Sequence, residues 1–401
     1  MQRLPWANKW SQKVKEILFT MEDIYQKIKA DSGLVGSLVP ISIIRRMDVP
    51  SSTANELDQS FMYTQLLKEI LLEMKHDPEA KAKLVEYCRS KYADDILQLG
   101  IIDDFSIEYN NLLAIEWYTK ESFLYGLLNR ALRTEDVETI MKMGFFLKDL
   151  HQQIVELHSA QSKTRDGDKF TVYRGQGMAP EELEKIKDSE GGLLSFNNFL
   201  STTYNEEIAK DFAKKIHTNS KVVAIIFQME INPKKSSVPF AFIDKESTYK
   251  YESENLFSMH TVFRIMGTRK LADRFWQVNL ALTSDNDPQL KLLSDYMRKE
   301  LGEGNSLSKL GHLMLKMGEF DQAHDIYGSQ LDSSDKQNWR RHSYLNHQLG
   351  WVFSQKGEYK TALSYYEKAL NGELDFVQPD DPLLAPTYHN IAGVNEIIGQ
   401  I

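Results

Sequence analysis

The sequence predicts an α+β fold, in which a β-rich domain lies between two helical regions. Apolar residues recur at three- and four-residue spacing up to about Leu157, which is typical of helices. Between about 168 and 285 apolar and polar residues alternate as in strands, and helical spacing then returns. With 401 residues, 42% of them hydrophobic, the chain can form more than one core. We therefore expect a helical N-terminal region at 1–100, a β-rich domain with its leading helices at 101–285, and a helical region at 286–401.

The first helical region is predicted from three segments with helical apolar spacing. They read LLKEILLEM, WYTKESFLYGLLNRALR and ETIMKMGFFLKDLHQQIVELH. The third segment carries His151 and His158, seven residues apart. A metal site would need a further ligand beside them, and none is evident in the sequence. We therefore favour packing roles for both histidines and expect no metal.

The β-rich domain is predicted to follow a linker. The polar segment Ser159–Lys169 ends in a turn-forming Asp-Gly-Asp. The predicted strands are FTVYRG, LLSFNNFLSTT, KVVAIIFQMEI, SVPFAFI, ENLFSMHTVFRI and RFWQVNLAL. One helix, NEEIAKDFAKKI, interrupts them, with Asn205 as its N-cap and Ile208, Phe212 and Ile216 on one face. A mostly antiparallel sheet is expected.

The C-terminal region repeats itself. The segments KMGEFDQAHDIY and QKGEYKTALSYY align at an offset of 39 residues, with Gly318 over Gly357 and Tyr327 over Tyr366. A third copy begins near Ile391. This pattern of small residues and aromatics resembles the tetratricopeptide repeat, in about two and a half units. Because each repeat buries its apolar face on a neighbour, we expect a longer array. The resemblance implies a protein partner, although so few units could also serve only to cover the β-rich domain.

Composition restricts the class of partner and the compartment. The net charge of −9 and the pI near 5.7 argue against a nucleic acid or an anionic membrane as the main partner. The single cysteine, Cys88, cannot form an internal disulfide, which fits a reducing compartment. The N-terminus lacks the apolar core of a secretory signal. We expect a cytoplasmic protein.

The predicted strand FTVYRG points an arginine toward the interior. Strand alternation puts Phe170, Val172 and Arg174 on one face, and an inward guanidinium needs an anion. Gly175 and Gly177 follow directly, and glycine allows a backbone to approach a ligand closely. An ordinary turn is the alternative explanation for this Gly-Gln-Gly segment.

The segment NNFLSTT places hydroxyls beside an aromatic ring. Alternation puts Phe199, Ser201 and Thr203 on one face of a strand. This would give an aromatic surface beside two hydroxyls. Cross-strand hydrogen bonding is the alternative role for the two hydroxyls.

Two carboxylates precede the strand LFSMHTVFRI. If the strand is extended there, Glu252 and Glu254 lie on the same face, with Cα atoms about 6 to 7 Å apart. Like charges at this distance repel, so the pair should meet solvent or a ligand. Paired carboxylates can stabilise an oxocarbenium-like centre and handle a proton, as in glycoside cleavage. The apolar strand that follows favours a site at its entrance.

Taken in order, VYRG, SFNNFLSTT and Glu-x-Glu resemble the R-S-E class of mono-ADP-ribosyltransferases. This family includes arginine-specific vertebrate ectoenzymes and several bacterial toxins. The segment AIEWYTKESFLYGLLNRALR is similar to the helices that precede the first strand in the ectoenzymes, so the resemblance extends over about Ala114–Leu282. The whole layout, with repeats after the transferase domain, resembles intracellular multidomain members found in invertebrates.

The resemblance implies a site for NAD, which would be a co-substrate. Arg174 would anchor NAD on its phosphate and ribose side, and the backbone of Gly175 would hold the nicotinamide carboxamide. Ser201, with Thr202 beside it, would bind the nicotinamide ribose and help to position Glu254. Glu254 would contact the ribose 2′-hydroxyl and stabilise the cation that forms as nicotinamide leaves.

The resemblance also implies an acceptor side. Glu252 would orient and deprotonate the acceptor guanidinium, and Tyr249 would contact the target protein. Phe212 is the candidate to stack on nicotinamide. Thr203 stands where the family usually has serine, which preserves a hydroxyl.

These features predict a mono-ADP-ribosyltransferase that moves ADP-ribose from NAD to arginine side chains of proteins and releases nicotinamide. An NAD glycohydrolase, with water as the acceptor, shares the first step and is one alternative. An inactive NAD-binding scaffold that acts through its repeats is the other.

Overall fold

The computed structural model describes residues 41–46, 59–120, 122–134, 136–163, 167–216, 222–244, 253–301, 304–335 and 338–400. The helices before the β-rich domain are α1 (Gln59–Glu73), α2 (Ala80–Lys91), α3 (Ile96–Glu108), α4 (Ala114–Thr119), α5 (Phe123–Thr134), α6 (Val137–Lys142) and α7 (Gly144–Ser162). Acidic side chains cap two of them: Asp95 accepts from the Gln98 N–H at α3, and Asp136 accepts from the Thr139 N–H at α6. No helix in the described ranges is long and apolar enough to cross a membrane.

Within the described ranges, nine strands form one curled sheet. They are β1 (Ile41–Ile44), β2 (Phe170–Met178), β3 (Leu193–Phe196), β4 (Leu200–Thr203), β5 (Val223–Ile231), β6 (Phe240–Phe242), β7 (Glu254–Phe257), β8 (Thr261–Ala272) and β9 (Phe275–Leu282). Their order across the sheet is β1-β3-β8-β9-β5-β2-β4-β7-β6. The pair β5–β9 is parallel, and the other pairs are antiparallel. The mixed α+β fold class predicted from the sequence is confirmed.

Four features differ from the sequence prediction. Strand β1 lies in the region predicted to be helical, where its four residues are too few to show a period. A helix absent from the prediction, α8 (Pro180–Lys187), follows β2. The segment ENLFSMHTVFRI, predicted as one strand, divides into β7 and β8, because a turn intervenes and His260 adopts a left-handed φ of +57°. The segment LLSFNNFLSTT, also predicted as one strand, divides into β3 and β4.

The helix that follows β4, α9 (Glu206–Ile216), packs through small residues. Its predicted N-cap is present, since Asn205 Oδ1 accepts from the Glu207 N–H at 3.0 Å. The buried side is Ala209 and Ala213, whereas Phe212 is 45% exposed. The face that helical spacing marks with Ile208 and Phe212 is therefore not the face that packs on the sheet. Only side chains of alanine size allow the helix backbone to reach the sheet.

The edge strand β6 is covered by side chains of α7. The imidazole Nδ1 of His158 lies 2.9 Å from the carbonyl oxygen of Phe240. Gln161 donates to the carbonyl oxygen of Phe242 at 2.7 Å and accepts from the N–H of the same residue at 2.9 Å. The two side chains thus bond to strand backbone where a further strand would otherwise pair.

The C-terminal helices are α10 (Pro288–Leu301), α11 (Ser306–Met317), α12 (Phe320–Ser333), α13 (Trp339–Gln355), α14 (Tyr359–Leu374) and α15 (Ala385–Gln400). The predicted repeat is visible as helix pairs α11–α12 and α13–α14. Left-handed glycines end the first helix of each pair, with φ of +79° at Gly318 and +76° at Gly357. Tyr327 and Tyr366 are buried in equivalent positions, each against a glycine of the preceding helix.

The repeats share a core with the N-terminal helices. Helix α1 contacts both α7 and α11, and Leu67, Leu147 and Leu310 belong to one buried cluster. The ion pair between Arg264 in β8 and Asp287 ties the sheet to the start of α10. The first repeat is therefore packed against the rest of the described chain through buried apolar surface.

Substituting Gly350 by alanine is expected to destabilise the repeats. An added Cβ would lie 2.7 Å from the ring of Tyr366, which is too close for an unshifted ring. Overpacking of this kind costs about 1–3 kcal/mol, so the unfolding midpoint in urea should fall. Gly372→Ala is the matched control, because a Cβ there meets nothing within 4 Å. Equal midpoints for the two variants would contradict this account of the packing.

Candidate functional site

Three neighbouring strands bring the predicted site residues to one cavity. Strand β4 lies between β2 and β7 in the sheet. Arg174 from β2, Ser201 from β4 and Glu254 from β7 all line a cavity of about 790 Å³. The pairing register sets Thr203 directly opposite both Tyr173 and Glu254. Residues that are far apart in the sequence therefore meet because of strand order.

Arg174 is held by neighbouring groups. Its Nη1 donates to the carbonyl oxygen of Ser201 at 2.7 Å, and its Nε donates to Gln176 Oε1 at 3.2 Å. A guanidinium carries five N–H donors, so the remaining ones can bind an anion in the cavity. The arginine and serine segments are thus connected through a main-chain oxygen of β4, while the Ser201 side chain lies at the cavity wall.

Gly175 is required by the approach of α9. A Cβ at this position would lie 1.9 Å from the carbonyl oxygen of Ala209 and 2.8 Å from the amide nitrogen of Ala213. Helix α9 therefore touches β2 backbone to backbone, and this contact brings Phe212 to the cavity. The turn considered as the alternative for the Gly-Gln-Gly segment is not found, because these residues lie inside β2.

The hydroxyl segment on β4 divides between the cavity and the sheet. Ser201, Thr202 and Thr203 all line the cavity. The hydroxyl of Thr202 donates to the carbonyl oxygen of Asn255 at 3.2 Å, so it also joins β4 to β7. Phe199, expected on the same surface as Ser201, is 1% exposed and belongs to the core. The predicted aromatic surface beside the hydroxyls is therefore not formed by Phe199.

Glu254 is a buried carboxylate at the start of β7, with 7% of its surface exposed. Its amide N–H donates to Asp244 Oδ1 at 2.9 Å. The preceding residue, Ser253, has a left-handed φ of +49°. The extended backbone assumed for this stretch is not present at Ser253, and the strand begins only at Glu254, so the shared face of Glu252 and Glu254 stays a prediction. Glu252 and Tyr249 themselves lie outside the described residues.

The helical layer contributes a wall that was not assigned to the site from the sequence. Tyr118, Lys120 and Tyr125, around the junction of α4 and α5, all line the cavity. The hydroxyl of Tyr118 donates to the carbonyl oxygen of Phe199 at 3.1 Å, and its ring centre lies 5.3 Å from that of Tyr125. The segment WYTKESFLYGLL shows two tyrosines seven residues apart with a lysine between them. That combination is the signal that could have identified this wall.

The pKa of one tyrosine in this wall is strongly shifted. Burial raises the pKa of Tyr118 well above its ordinary value, and the neighbouring Tyr125 raises it further. The positive charge of Arg174 opposes the shift, and the negative charge of Glu254 makes a smaller upward contribution. Tyr118 is therefore a neutral phenol that lies close to both charged residues. The site combines cations at Arg174 and Lys120, a buried carboxylate and aromatic rings. It can bind an anionic ligand with ring systems and stabilise positive charge beside Glu254.

Within the described ranges, no three histidine, cysteine, aspartate or glutamate side chains are grouped to hold a metal ion. His151 and His158, which face neighbouring elements from α7, bond instead to the hydroxyl of Ser258 and to the backbone of β6.

Several solved structures are similar to this chain. Plx2a, an ADP-ribosyltransferase toxin from Paenibacillus larvae, is 18% identical, and the match covers 51% of this chain and 96% of that chain with a TM-score of 0.33. The Clostridium limosum C3 exoenzyme is 12% identical, with coverages of 50% and 94% and a TM-score of 0.33. Exoenzyme S from Pseudomonas aeruginosa, solved with human 14-3-3 protein beta and carba-NAD, is 18% identical, with coverages of 54% and 98% and a TM-score of 0.32.

Family models identify the two parts of the chain that the sequence patterns marked. A comparison with curated proteins gave no match. The model of the ADP-ribosyltransferase exoenzyme family matches residues 103–301, which include the three strands of the cavity and its helical wall. A tetratricopeptide repeat model matches residues 345–376, within α13 and α14 and their flanks. The chain therefore carries an ADP-ribosyltransferase exoenzyme domain followed by helices that include a tetratricopeptide repeat.

Proposed function

We propose that this chain is a mono-ADP-ribosyltransferase of the R-S-E class, which moves ADP-ribose from NAD to arginine side chains of proteins and releases nicotinamide. The observation that carries the proposal is the meeting of Arg174, Ser201 and Glu254 in one cavity. These are the three residues at which the sequence resembles that class.

The cavity has the size and the lining that NAD requires. Ligand sites have volumes of about 300–1,000 Å³, and this cavity of about 790 Å³ falls in that range. Arg174 and Lys120 supply positive charge for the pyrophosphate. Tyr118 and Tyr125 offer ring faces, and Phe212 offers one from α9. We propose that the Gly175 backbone holds the carboxamide of nicotinamide and that Ser201 and Thr202 bind its ribose.

Glu254 would supply the electrostatic stabilisation for bond cleavage. As the bond between nicotinamide and ribose breaks, its electron pair leaves with nicotinamide, which becomes neutral. The positive charge then lies on the ribose. A carboxylate fixed beside it lowers the barrier, because a preorganised charge needs no reorientation during the reaction. The burial of Glu254 strengthens this interaction, since fewer water molecules screen the charge.

The acceptor step would use the residues just before Glu254. A guanidinium has a pKa above 12, so attack requires a base to take its proton. We propose Glu252 for this role, with general-base catalysis contributing roughly 10²- to 10⁴-fold. The acceptor nitrogen then bonds to the ribose carbon that nicotinamide has left. Tyr249 would contact the target protein. Water can take the place of the guanidine, which would give an NAD glycohydrolase.

The repeats are proposed to bind a protein partner or target. Tetratricopeptide repeats commonly serve this role, and large side chains are exposed on the helices α13 and α15 and in the segment between α14 and α15. These exposed side chains are Tyr344, Phe376, Leu383 and Tyr388.

The proposed activity predicts that the purified chain consumes NAD and modifies a small guanidine. Nicotinamide release and ADP-ribosylated agmatine are measured together, with and without agmatine. Wild type should form the agmatine product, and Glu252→Gln should release nicotinamide without forming it. Nicotinamide release by wild type without any agmatine product would support the glycohydrolase instead. Absence of nicotinamide release under all these conditions would contradict the enzyme and favour an inactive scaffold.

A further inference from the structure

Strand β7 begins with an unusual backbone arrangement around Glu254. We propose that Asp244 and Ser253 are positioning residues that fix the start of β7 and so aim the carboxylate of Glu254, an inference that rests on the catalytic role proposed above. Neither residue lines the cavity, whereas Glu254 does. Their effect would therefore pass through the backbone rather than through contact with NAD.

At the first residue of β7, a side chain takes the place of the neighbouring strand as the acceptor for the backbone amide. The β6–β7 ladder pairs Phe242 with Asn255 and ends there. One residue earlier, the carbonyl oxygen of Glu254 still accepts from the Ile243 N–H at 3.0 Å. The amide of Glu254 turns instead to Asp244 Oδ1, at 2.9 Å. A carboxylate acceptor makes a stronger hydrogen bond than a neutral carbonyl, so Asp244 anchors this amide firmly.

The residue before Glu254 shows why an anchor is needed. Ser253 has a φ of +49°, in the left-handed region that side chains other than glycine seldom occupy. Such a conformation persists only where its surroundings hold it. The chain turns at Ser253 and enters the sheet at Glu254, opposite Thr203. If the amide of Glu254 lost Asp244, Ser253 would be free to relax toward an extended conformation and rotate the carboxylate away from the cavity.

Loss of the hydrogen bond to Asp244 would slow bond cleavage and would leave NAD binding nearly unchanged. Arg174 and Gly175 belong to β2, and Ser201 belongs to β4, so none of them depends on the Asp244 anchor. A displacement of about 1 Å at a reacting group can lower a rate about a hundredfold. Loss of the anchor should therefore reduce kcat while the KM for NAD stays nearly constant.

Two pairs of variants test the anchor. Asp244→Ala removes the acceptor and Asp244→Asn keeps an oxygen acceptor in place. Ser253→Val disfavours the left-handed conformation and Ser253→Gly accommodates it. Asp244→Ala and Ser253→Val should lower kcat roughly ten- to a hundredfold, with the KM for NAD changed by less than about twofold. Asp244→Asn and Ser253→Gly should stay within about threefold of wild type, because each preserves the geometry.

Asp285→Ala is the matched control. Asp285 also accepts a backbone N–H with its carboxylate, from Ser237 at 2.8 Å, but it does not line the cavity. Its loss should leave kcat unchanged. Equal kcat losses in Asp244→Ala and Asp285→Ala would show a general structural effect and would overturn the proposal.

A second readout does not depend on activity. Hydrogen exchange of the peptide that spans residues 253–257 reports the Glu254 amide directly. Exchange should accelerate in Asp244→Ala and stay slow in Asp244→Asn. If wild type releases no nicotinamide, the proposed function fails, while this exchange still decides whether the anchor exists. Unchanged exchange and unchanged kcat in Asp244→Ala would overturn the positioning role even if wild type is an active transferase.

Discussion

Replacing Glu254 by glutamine is expected to reduce nicotinamide release by about 10²- to 10³-fold or more. Glutamine has nearly the same shape and removes only the negative charge. The carboxylate is buried beside a cavity that also holds Arg174, so it is placed to stabilise positive charge on the ribose. Single-turnover measurement of nicotinamide release at saturating NAD isolates this step from binding.

Binding and charge controls accompany this variant. NAD affinity should change little in Glu254→Gln, because Arg174 and the backbone of β2 remain in place. Glu230→Gln is the matched control, since Glu230 is an exposed strand carboxylate paired with Lys169 and does not line the cavity. Full turnover in Glu254→Gln would remove the central residue from the proposed mechanism.

Gly175→Ala is expected to have the largest effect on the stability of the site. Its Cβ would lie 1.9 Å from a carbonyl oxygen of α9, and a backbone atom cannot rotate out of the way. The helix must move, at a cost near the upper end for overpacking, about 3 kcal/mol. Because α9 carries Phe212 to the cavity, NAD affinity should also fall. Urea unfolding and NAD titration measure the two effects.

A second glycine separates steric from conformational effects. At Gly100 in α3, an added Cβ meets nothing within 4 Å. Gly100→Ala should therefore raise stability by about 0.5–1 kcal/mol, as alanine favours a helix over glycine. If Gly175→Ala unfolded at the same urea concentration as wild type, the close contact between α9 and β2 would be refuted.

The strands of the β-rich domain could be predicted from the sequence because their signal is local. Alternation in FTVYRG and the β-branched apolar run in KVVAIIFQMEI are both visible within a few residues, and both segments form strands. The repeat in the C-terminal helices was equally accessible, since Tyr327 and Tyr366 recur at a constant offset. Strand β1 was missed because four residues between helical segments carry too little pattern.

The lining of the cavity was only partly predictable, because it depends on tertiary packing. Helical spacing places Ile208 and Phe212 on one face of α9, yet the close approach at Gly175 makes Ala209 and Ala213 the side that packs on the sheet. The cavity wall that includes Tyr118 could not be assigned from the sequence, because aromatic residues in a helical layer usually belong to the core. Which of them meets β4 depends on contacts between distant segments.

The relative orientation of the two glutamates could not be predicted from their spacing, for a different reason. The rule that residues two apart share a face holds only for extended backbone. Ser253, between Glu252 and Glu254, has a left-handed φ that no feature of its side chain announces. Sequence reasoning could therefore locate the carboxylates but not their relative orientation.

The cover that α7 places over β6 has a consequence for the behaviour of the protein at high concentration. An uncovered edge strand offers its N–H and C=O groups to any extended chain, and such edges promote aggregation. Here the side chains of His158 and Gln161 hydrogen-bond to the backbone groups of Phe240 and Phe242. A strand from another molecule would have to displace both side chains before it could pair. This edge of the sheet is thereby protected from intermolecular β-sheet growth, although it is apolar.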